Sequence, residues 1–310
     1  LDAQHRDLFY KLLVQKYAES PCTMVISTHL IAEVLLQKGD IMTQKERRVF
    51  LINYLKNEEE SFKGIVIPHD TEAQKHLLRA LMNVRPPMPV SKDFTDIQDE
   101  YLQQENRQRG IVSLGDLSQE QPEIYLWQGD ITRLSVDAIV NAANSAMLGC
   151  FVPCHGCIDN AIHSAAGVQL RLECARIMDK QGKPEEPGRA KITKGYNLPC
   201  QYVLHTVGPT VHEAVTEKDC EQLRSCYRSC LELAATYHLK SIAFCCISTG
   251  EFHFPHALAA EIATQTILHY QQTHQNRLKV IFNVFKDKDY ELYKRKLERH
   301  CPSKGNDTNC

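Results

Sequence analysis

Apolar positions follow two different rhythms along the chain. Up to about residue 117 they recur at helical spacing: Leu8, Leu12, Leu13 and Tyr17 share one face of a 3.6-residue turn, and KERRVFLINYLKNEE repeats the theme. TEAQKHLLRALMNV follows as a further helix after a threonine suited to capping. The prolines of RPPMPVSKDF interrupt helix and predict a turn or extended connection. DEYLQQENRQRGIVSLGDLSQEQPE is polar and reads as a linker. These amphipathic helices require burial against one another or against the rest of the chain.

From Glu123 the rhythm changes to short apolar runs separated by longer amphipathic ones. IYLWQGD, VDAIVNAAN, KITKGYNLP, YVLHTVGP, SIAFCCIS and LKVIFNVF predict strands. IDNAIHSAAGVQLRLECARIMDK predicts one long helix, and KDCEQLRSCYRSCLELAATYH, PHALAAEIATQTILHYQQT and KDYELYKRKLERH predict three more. Helices alternating with apolar strands indicate an α/β fold whose sheet is covered on both faces. Adjacent strands without a helix between them make the sheet mixed. No internal repeat is present, and the tail CPSKGNDTNC is expected to be disordered.

Composition narrows the class without naming it. A chain of 310 residues suggests two domains, and 43% hydrophobic with 24% charged residues is ordinary for a globular protein. A net charge of -2 gives no electrostatic reason to expect nucleic acid or an anionic membrane. No apolar run approaches the ~20 residues of a membrane span. The first twenty residues lack a secretory core, so a cytoplasmic location is the expectation; because residue 1 is Leu rather than Met, a trimmed targeting segment would make it organellar instead. The thirteen cysteines are scattered rather than spaced as a disulfide framework, which points to a reducing compartment.

Candidate chemistry collects in loops after predicted strands, where α/β sheets bind ligands. These are GDIT (129–132), NAANS (141–145), the Cys/His loop and STGEF (248–252). STG and the helix start beyond Cys157 could offer backbone N–H groups to phosphate, or be ordinary strand-to-helix turns. Asp130 could take an adenine amino group or cap the following turn. Asn141 and Asn144 could meet sugar hydroxyls or serve turn chemistry. Cys150, His155 and Cys157 are soft or borderline ligands within reach of one zinc ion. Cys154 could complete a closed structural site; three ligands alone would leave an open position.

GDI, VDAIVNAANS, IDNAIH, HTVGP and ISTGEF, in this order, resemble the macrodomain, a three-layer α/β/α module that binds ADP-ribose. LGCFVPCHGCIDNAIHSAAG is similar, more narrowly, to the zinc-dependent macrodomains, protein-ADP-ribose hydrolases associated with class M sirtuins; every fixed position of their GCF-x-P-x-H-x-C-I-D-N-x-I-H signature is present. The resemblance covers roughly residues 86–300. Taken with the patterning above, it gives the expected organisation: a helical N-terminal region with linker over 1–117, a macrodomain with mixed sheet over 118–300 and a tail over 301–310.

The resemblance also implies the site. Cys150, His155 and Cys157 fall on the metal positions, for one zinc per chain, and Cys154 falls on a variable one. Asp130 with the Ile131 N–H matches the adenine site, and Asn144 a distal-ribose ligand. Cys157, Ile158, Asp159 and Asn160 match one phosphate/ribose loop; Ser248, Thr249, Gly250, Glu251 and Phe252 match the other. The expected activity is zinc-dependent removal of ADP-ribose from mono-ADP-ribosylated protein side chains, with a reader module without turnover as the alternative. Asn144, Asp159 and Glu251 are the expected catalytic residues. The expected partner is an ADP-ribosylated protein, such as a lipoyl-carrier protein modified by a sirtuin. Two features depart from the pattern: His253 stands where relatives usually have glycine, and the first ~85 residues are longer than expected.

Overall fold

The computed structural model describes residues 42–274 and 278–299, so the expectations for Leu8–Tyr17 and for the tail lie outside the described residues. The chain divides into two compact units, one running to Leu78 and including Ser91–Ile97, the other formed by Arg79–Val90 and the chain from Gln98 onward.

In the first unit, α1 (Gln44–Asn57) begins at a capping box: the Glu46 N–H donates to Thr43 Oγ1 at 3.3 Å and the Thr43 N–H to Glu46 Oε2 at 2.8 Å. It buries Phe50, Leu51, Ile52 and Leu55. α2 (Thr71–Val84) corrects the sequence reading of its start. Thr71 is already helical, and Asp70 accepts the Ala73 N–H at 2.8 Å in the capping role. α3 (Lys92–Gln108) overturns the linker expected there. Phe94, Ile97 and Tyr101 are buried at three-to-four-residue spacing with Leu102 beside them, a stripe hidden in the sequence by the polar residues around it. Ser91 Oγ accepts the Phe94 N–H at 3.2 Å at the helix start, and Phe94 lies against Tyr54 with ring centroids 4.5 Å apart.

The second unit is built on a seven-stranded sheet. Its strands are β2 (Ser118–Gln121), β3 (Ile124–Gln128), β5 (Ala138–Ala143), β6 (Ala190–Lys194), β7 (Tyr202–Val207), β8 (Ser241–Phe244) and β9 (Lys279–Val284), in the order β2-β3-β9-β8-β5-β7-β6. β2 and β6 run antiparallel to their neighbours at the two edges and the interior pairs are parallel, so the sheet is mixed as expected. A separate parallel pair joins β1 (Val112–Ser113) to β4 (Leu134–Ser135). Ala138, Ile139, Val140, Ile242, Ala243, Val280 and Ile281 are fully buried, the continuous apolar reading of strands covered on both faces by helices.

Those helices are α4 (Ile158–Ala166), α5 (Val168–Gln181), α6 (Glu217–Thr236), α7 (His256–Thr273) and α8 (Asp287–Arg299), completing the three-layer α/β/α architecture expected. One expectation fails here. The long helix from Ile158 is two helices, broken at Gly167, whose φ of +100° and close neighbours Gln98 and Gln169 (2.7 Å from where a Cβ would sit) exclude a side chain. Cys200, Cys226, Cys230 and Cys245 are buried free thiols of the core, and burial raises all four, Cys200 and Cys245 to about 12. They behave as small hydrophobes.

Candidate functional site

The loop after β5 carries the metal candidates. Asn144 opens it as a turn residue, its Oδ1 accepting the Ala146 N–H at 3.1 Å and its Nδ2 donating to the Gly149 carbonyl at 3.1 Å. Cys157 closes the loop as N-cap of α4, with the Asn160 N–H directed at its sulfur at 3.4 Å. Between these points the ligand atoms of Cys150, His155 and Cys157 come within 4.8 Å of one another, all half-buried, with Cys150 Sγ 3.7 Å from His155 Nδ1. Cys154 is not part of this set. Burial, with the Cys150 thiol and Asp159 carboxylate adding to it, pushes the Cys157 thiol up to about 11. Two sulfurs and an imidazole crowded together next to a carboxylate fit zinc, which lowers thiol pKa values and accepts this mixed donor set.

Behind the loop lies a buried polar network. Asn141, fully buried on β5, donates from Nδ2 to Asp159 Oδ1 at 2.8 Å and to His205 Nδ1 at 3.1 Å. Its burial overturns the sugar-ligand option for Asn141, whose side chain instead orients Asp159. Because Asn141 donates to Nδ1, the His205 proton sits on Nε2, 2.9 Å from Thr193 Oγ1. Burial holds His205 down to about 3, and holds His163 well below its ordinary value with the neighbouring His205 adding to the effect. His163 Nε2 is 3.5 Å from Asp159 Oδ1. Asp159 is pushed the opposite way, up to about 6 by burial, although the Asn141 hydrogen bond and the Arg171 charge draw it down. Asn144 Nδ2 reaches its second oxygen at 3.4 Å.

The second phosphate candidate follows β8. In the loop Ser248–Phe252 the Phe254 N–H returns to the Ser248 carbonyl at 2.9 Å and the His253 N–H to the Gly250 carbonyl at 3.0 Å. His253 adopts φ +57°, so the left-handed conformation that glycine usually provides is kept by a histidine, a residue type relatively tolerant of it. Ser248 also has positive φ, at +64°, and is buried against Gly208, where a Cβ would fall 1.9 Å from Ser248 Oγ. Glu251 is exposed, and its Oε1 lies 3.8 Å from His155 Nε2, which brings this loop to the metal candidates.

Asp130 sits apart from them, after β3. Three strand spacings, roughly 14 Å, separate β3 from β5 in the sheet. Asp130 caps the short 3₁₀ turn Ile131–Arg133, its Oδ1 accepting from the Thr132 N–H at 3.0 Å and from Thr132 Oγ1 at 2.7 Å, while its Oδ2 pairs with Arg109. Ile131 is buried. Phe285, beyond β9, is 74% exposed, and its strand is tied to this loop by the Gly129 N–H to Val284 carbonyl bond (2.9 Å) and Asn283 Nδ2 to Gly129 carbonyl bond (2.9 Å). The sequence reading missed Phe285, which stands at the end of the predicted strand LKVIFNVF. It also missed the pairing of His163 with His205, although both lie inside the quoted motifs IDNAIH and HTVGP.

The chain is similar to known proteins in sequence and in fold. Residues 140–263 match the macro domain family model. The chain is 56% identical over 256 residues to a protein-ADP-ribose hydrolase of Treponema medium, covering 81% of this chain and 98% of that one. It is 48% identical over 261 residues to the protein-ADP-ribose hydrolase of Staphylococcus aureus strain MSSA476, covering 84% and 98%. Among solved structures, the Trypanosoma brucei macrodomain in complex with ADP-ribose aligns with a TM-score of 0.55 and 32% identity, covering 70% of this chain and 94% of that one. The Oceanobacillus iheyensis macrodomain with ADP aligns with a TM-score of 0.52 and 37% identity, covering 57% and 90%. The two hydrolases thus share more of this chain than the solved macrodomains do.

Proposed function

The chain belongs to the macro domain family, and on that premise we propose that it is a zinc-dependent hydrolase removing ADP-ribose from mono-ADP-ribosylated protein side chains. The observation that carries this reading is the convergence of Cys150, His155 and Cys157 beside Asn144 and Asp159 at the carboxyl edge of the sheet. The relatives named protein-ADP-ribose hydrolase support the activity, and the donor set supports the zinc. Bound there, zinc would supply a Lewis acid at the distal ribose.

The chain's own residues divide the remaining work along the sheet edge. Asp130 accepts from the adenine amino group while the Ile131 N–H donates to a ring nitrogen beside it, and the exposed Phe285 ring offers a stacking surface for the base. Backbone N–H groups of Ser248–Phe252 and of the α4 start around Ile158 meet the diphosphate, favoured by the helix dipole. Asn144 and Asp159 fix the distal ribose, with Asn141 orienting the Asp159 carboxylate. Loss of the acceptor side chain builds positive charge on that ribose, and the Asp159 carboxylate faces it. Glu251, exposed beside His155, takes the proton from the attacking water. The partner is an ADP-ribosylated protein, and a sirtuin-modified lipoyl-carrier protein is the substrate to try first.

Turnover of a mono-ADP-ribosylated protein, with zinc-loaded and chelator-treated enzyme compared, tests the proposal. Release of ADP-ribose only by the loaded protein is expected. Tight ADP-ribose binding with no release in either form would make the protein a reader, and equal release by both would remove zinc from the chemistry.

A further inference from the structure

Residues 148–157 form neither helix nor strand, yet side chains from three helices hold their backbone at five points. Arg171 on α5 donates from Nε to the Leu148 carbonyl at 2.7 Å and from Nη2 to the Cys150 carbonyl at 3.4 Å. Asn160 on α4 donates from Nδ2 to the Val152 carbonyl at 3.0 Å. The last two holds come from α2, on the stretch that belongs to the second unit. Asn83 Oδ1 accepts the Cys154 N–H at 2.9 Å, and Arg79 Nη2 donates to the His155 carbonyl at 3.1 Å.

Arg79 does more than touch the loop. Its Nε and Nη2 also donate to Asn160 Oδ1 at 3.1 and 2.7 Å, and the Asn160 N–H is the one directed at Cys157 sulfur. One guanidinium therefore connects the backbone of His155 to the helix capped by Cys157. Asn83, 1% exposed, reaches the same helix through Nδ2 to Ser164 Oγ at 2.9 Å. The carbonyls near the end of α2 are fixed in return: Arg171 Nη1 donates to those of Met82 and Asn83 at 3.2 and 2.8 Å, and to that of Arg85 as well. A cation at a helix C-terminus is also well placed against the helix dipole.

We propose that Arg79 and Asn83 are positioning residues for the metal, holding the 154–157 turn so that His155 and Cys157 stay aimed at Cys150. The inference rests on the assignment of Cys150, His155 and Cys157 as metal ligands. A loop without secondary structure, carrying Cys154 at φ +52°, would otherwise have to be ordered when metal binds, and that ordering opposes binding. Fixing the loop from outside removes the opposition. It also gives the segment ahead of the sheet, which the metal motif does not include, a part in the site.

The test is the rate at which the full-length, zinc-loaded protein gives up its metal to a chromophoric chelator, followed by absorbance. Arg79→Met and Asn83→Ala should release zinc about 10- to 100-fold faster, the range seen when groups supporting metal ligands are removed. Arg79→Lys keeps the charge but cannot span His155 and Asn160 as a fork, so its release should stay fast. Asn106→Ala, which removes a buried hydrogen bond to the Asn197 carbonyl away from the loop, serves as the control for general destabilisation and should release zinc at the wild-type rate. Wild-type release rates from both Arg79→Met and Asn83→Ala overturn the proposal. Should Arg79→Met not fold, Asn83→Ala alone decides it. If the wild type holds no more zinc than Cys157→Ala, the ligand assignment itself is wrong and the positioning role falls with it.

Discussion

The two ends of the sheet's carboxyl edge are built on opposite plans. At the Cys150–Cys157 end, Asp159, Asn141, Asn160, His163 and His205 are all buried, and Asp159 is displaced upward to about 6 while the two histidines are held neutral. At the Asp130 end, the carboxylate is one-third exposed and already paired with Arg109, and Phe285, just beyond the neighbouring strand β9, is open to solvent. Buried, cross-connected groups keep a fixed geometry, which suits bond breaking. Open groups on a turn add affinity without constraining the reaction.

That contrast makes graded predictions. The largest effect should follow Cys157→Ala: turnover should fall by orders of magnitude while ADP-ribose affinity, measured calorimetrically, falls far less because the adenine and phosphate contacts remain. Comparable losses in both would erase the distinction between the two ends.

Acid should come next. His205 is neutral in the fold but takes up a proton near pH 6.5 when unfolded, so its contribution to stability is intact above that pH and is lost as pH falls toward about 3. Burial likewise holds His163 neutral, so acidification acts in the same direction there, and the His205 slope is at most ~1.4 kcal/mol per pH unit within its window. Denaturant midpoints at pH 7 and pH 5 should show His205→Gln, which keeps an amide able to bond Asn141 and Thr193, losing less on acidification than the wild type.

At the open end, Asp130→Ala should weaken ADP-ribose by roughly 1.5–3 kcal/mol if a charged hydrogen bond to adenine is lost, with turnover at saturating substrate little changed. Unchanged affinity in folded protein would leave Asp130 as the cap of its 3₁₀ turn alone. The smallest effect belongs to His253→Gly, expected to stabilise by no more than ~1 kcal/mol through relief of positive φ, read as a small rise in Tm.

The Cys150–Cys157 end was also the more legible in sequence, and for a physical reason. Its three candidate ligands lie within eight residues, so spacing alone brings them near one another, and the resemblance implies that Cys154 stands aside. The strand and helix alternation was readable because strands covered on both faces are apolar throughout. What escaped was whatever depends on partners far apart along the chain. Asn141 meets His205 across 64 residues because β5 and β7 are neighbours, and Arg79 meets Asn160 across 81. α3 escaped because its stripe of four buried side chains is diluted by polar ones, and the break at Gly167 because the crowding there comes from Gln98 on that same helix.

Gly208 and Ser248 belong to different loops, yet they occupy what is nearly one volume: a methyl group on the first would overlap the hydroxyl of the second. In evolutionary terms the two positions form an epistatic pair. Alanine at 208 also meets Ile247 Cγ2 at 2.9 Å, so it needs the Ser248 hydroxyl moved or removed together with a small shift of Ile247. A double-mutant cycle between Gly208→Ala and Ser248→Gly should show the second change relieving part of the harm done by the first.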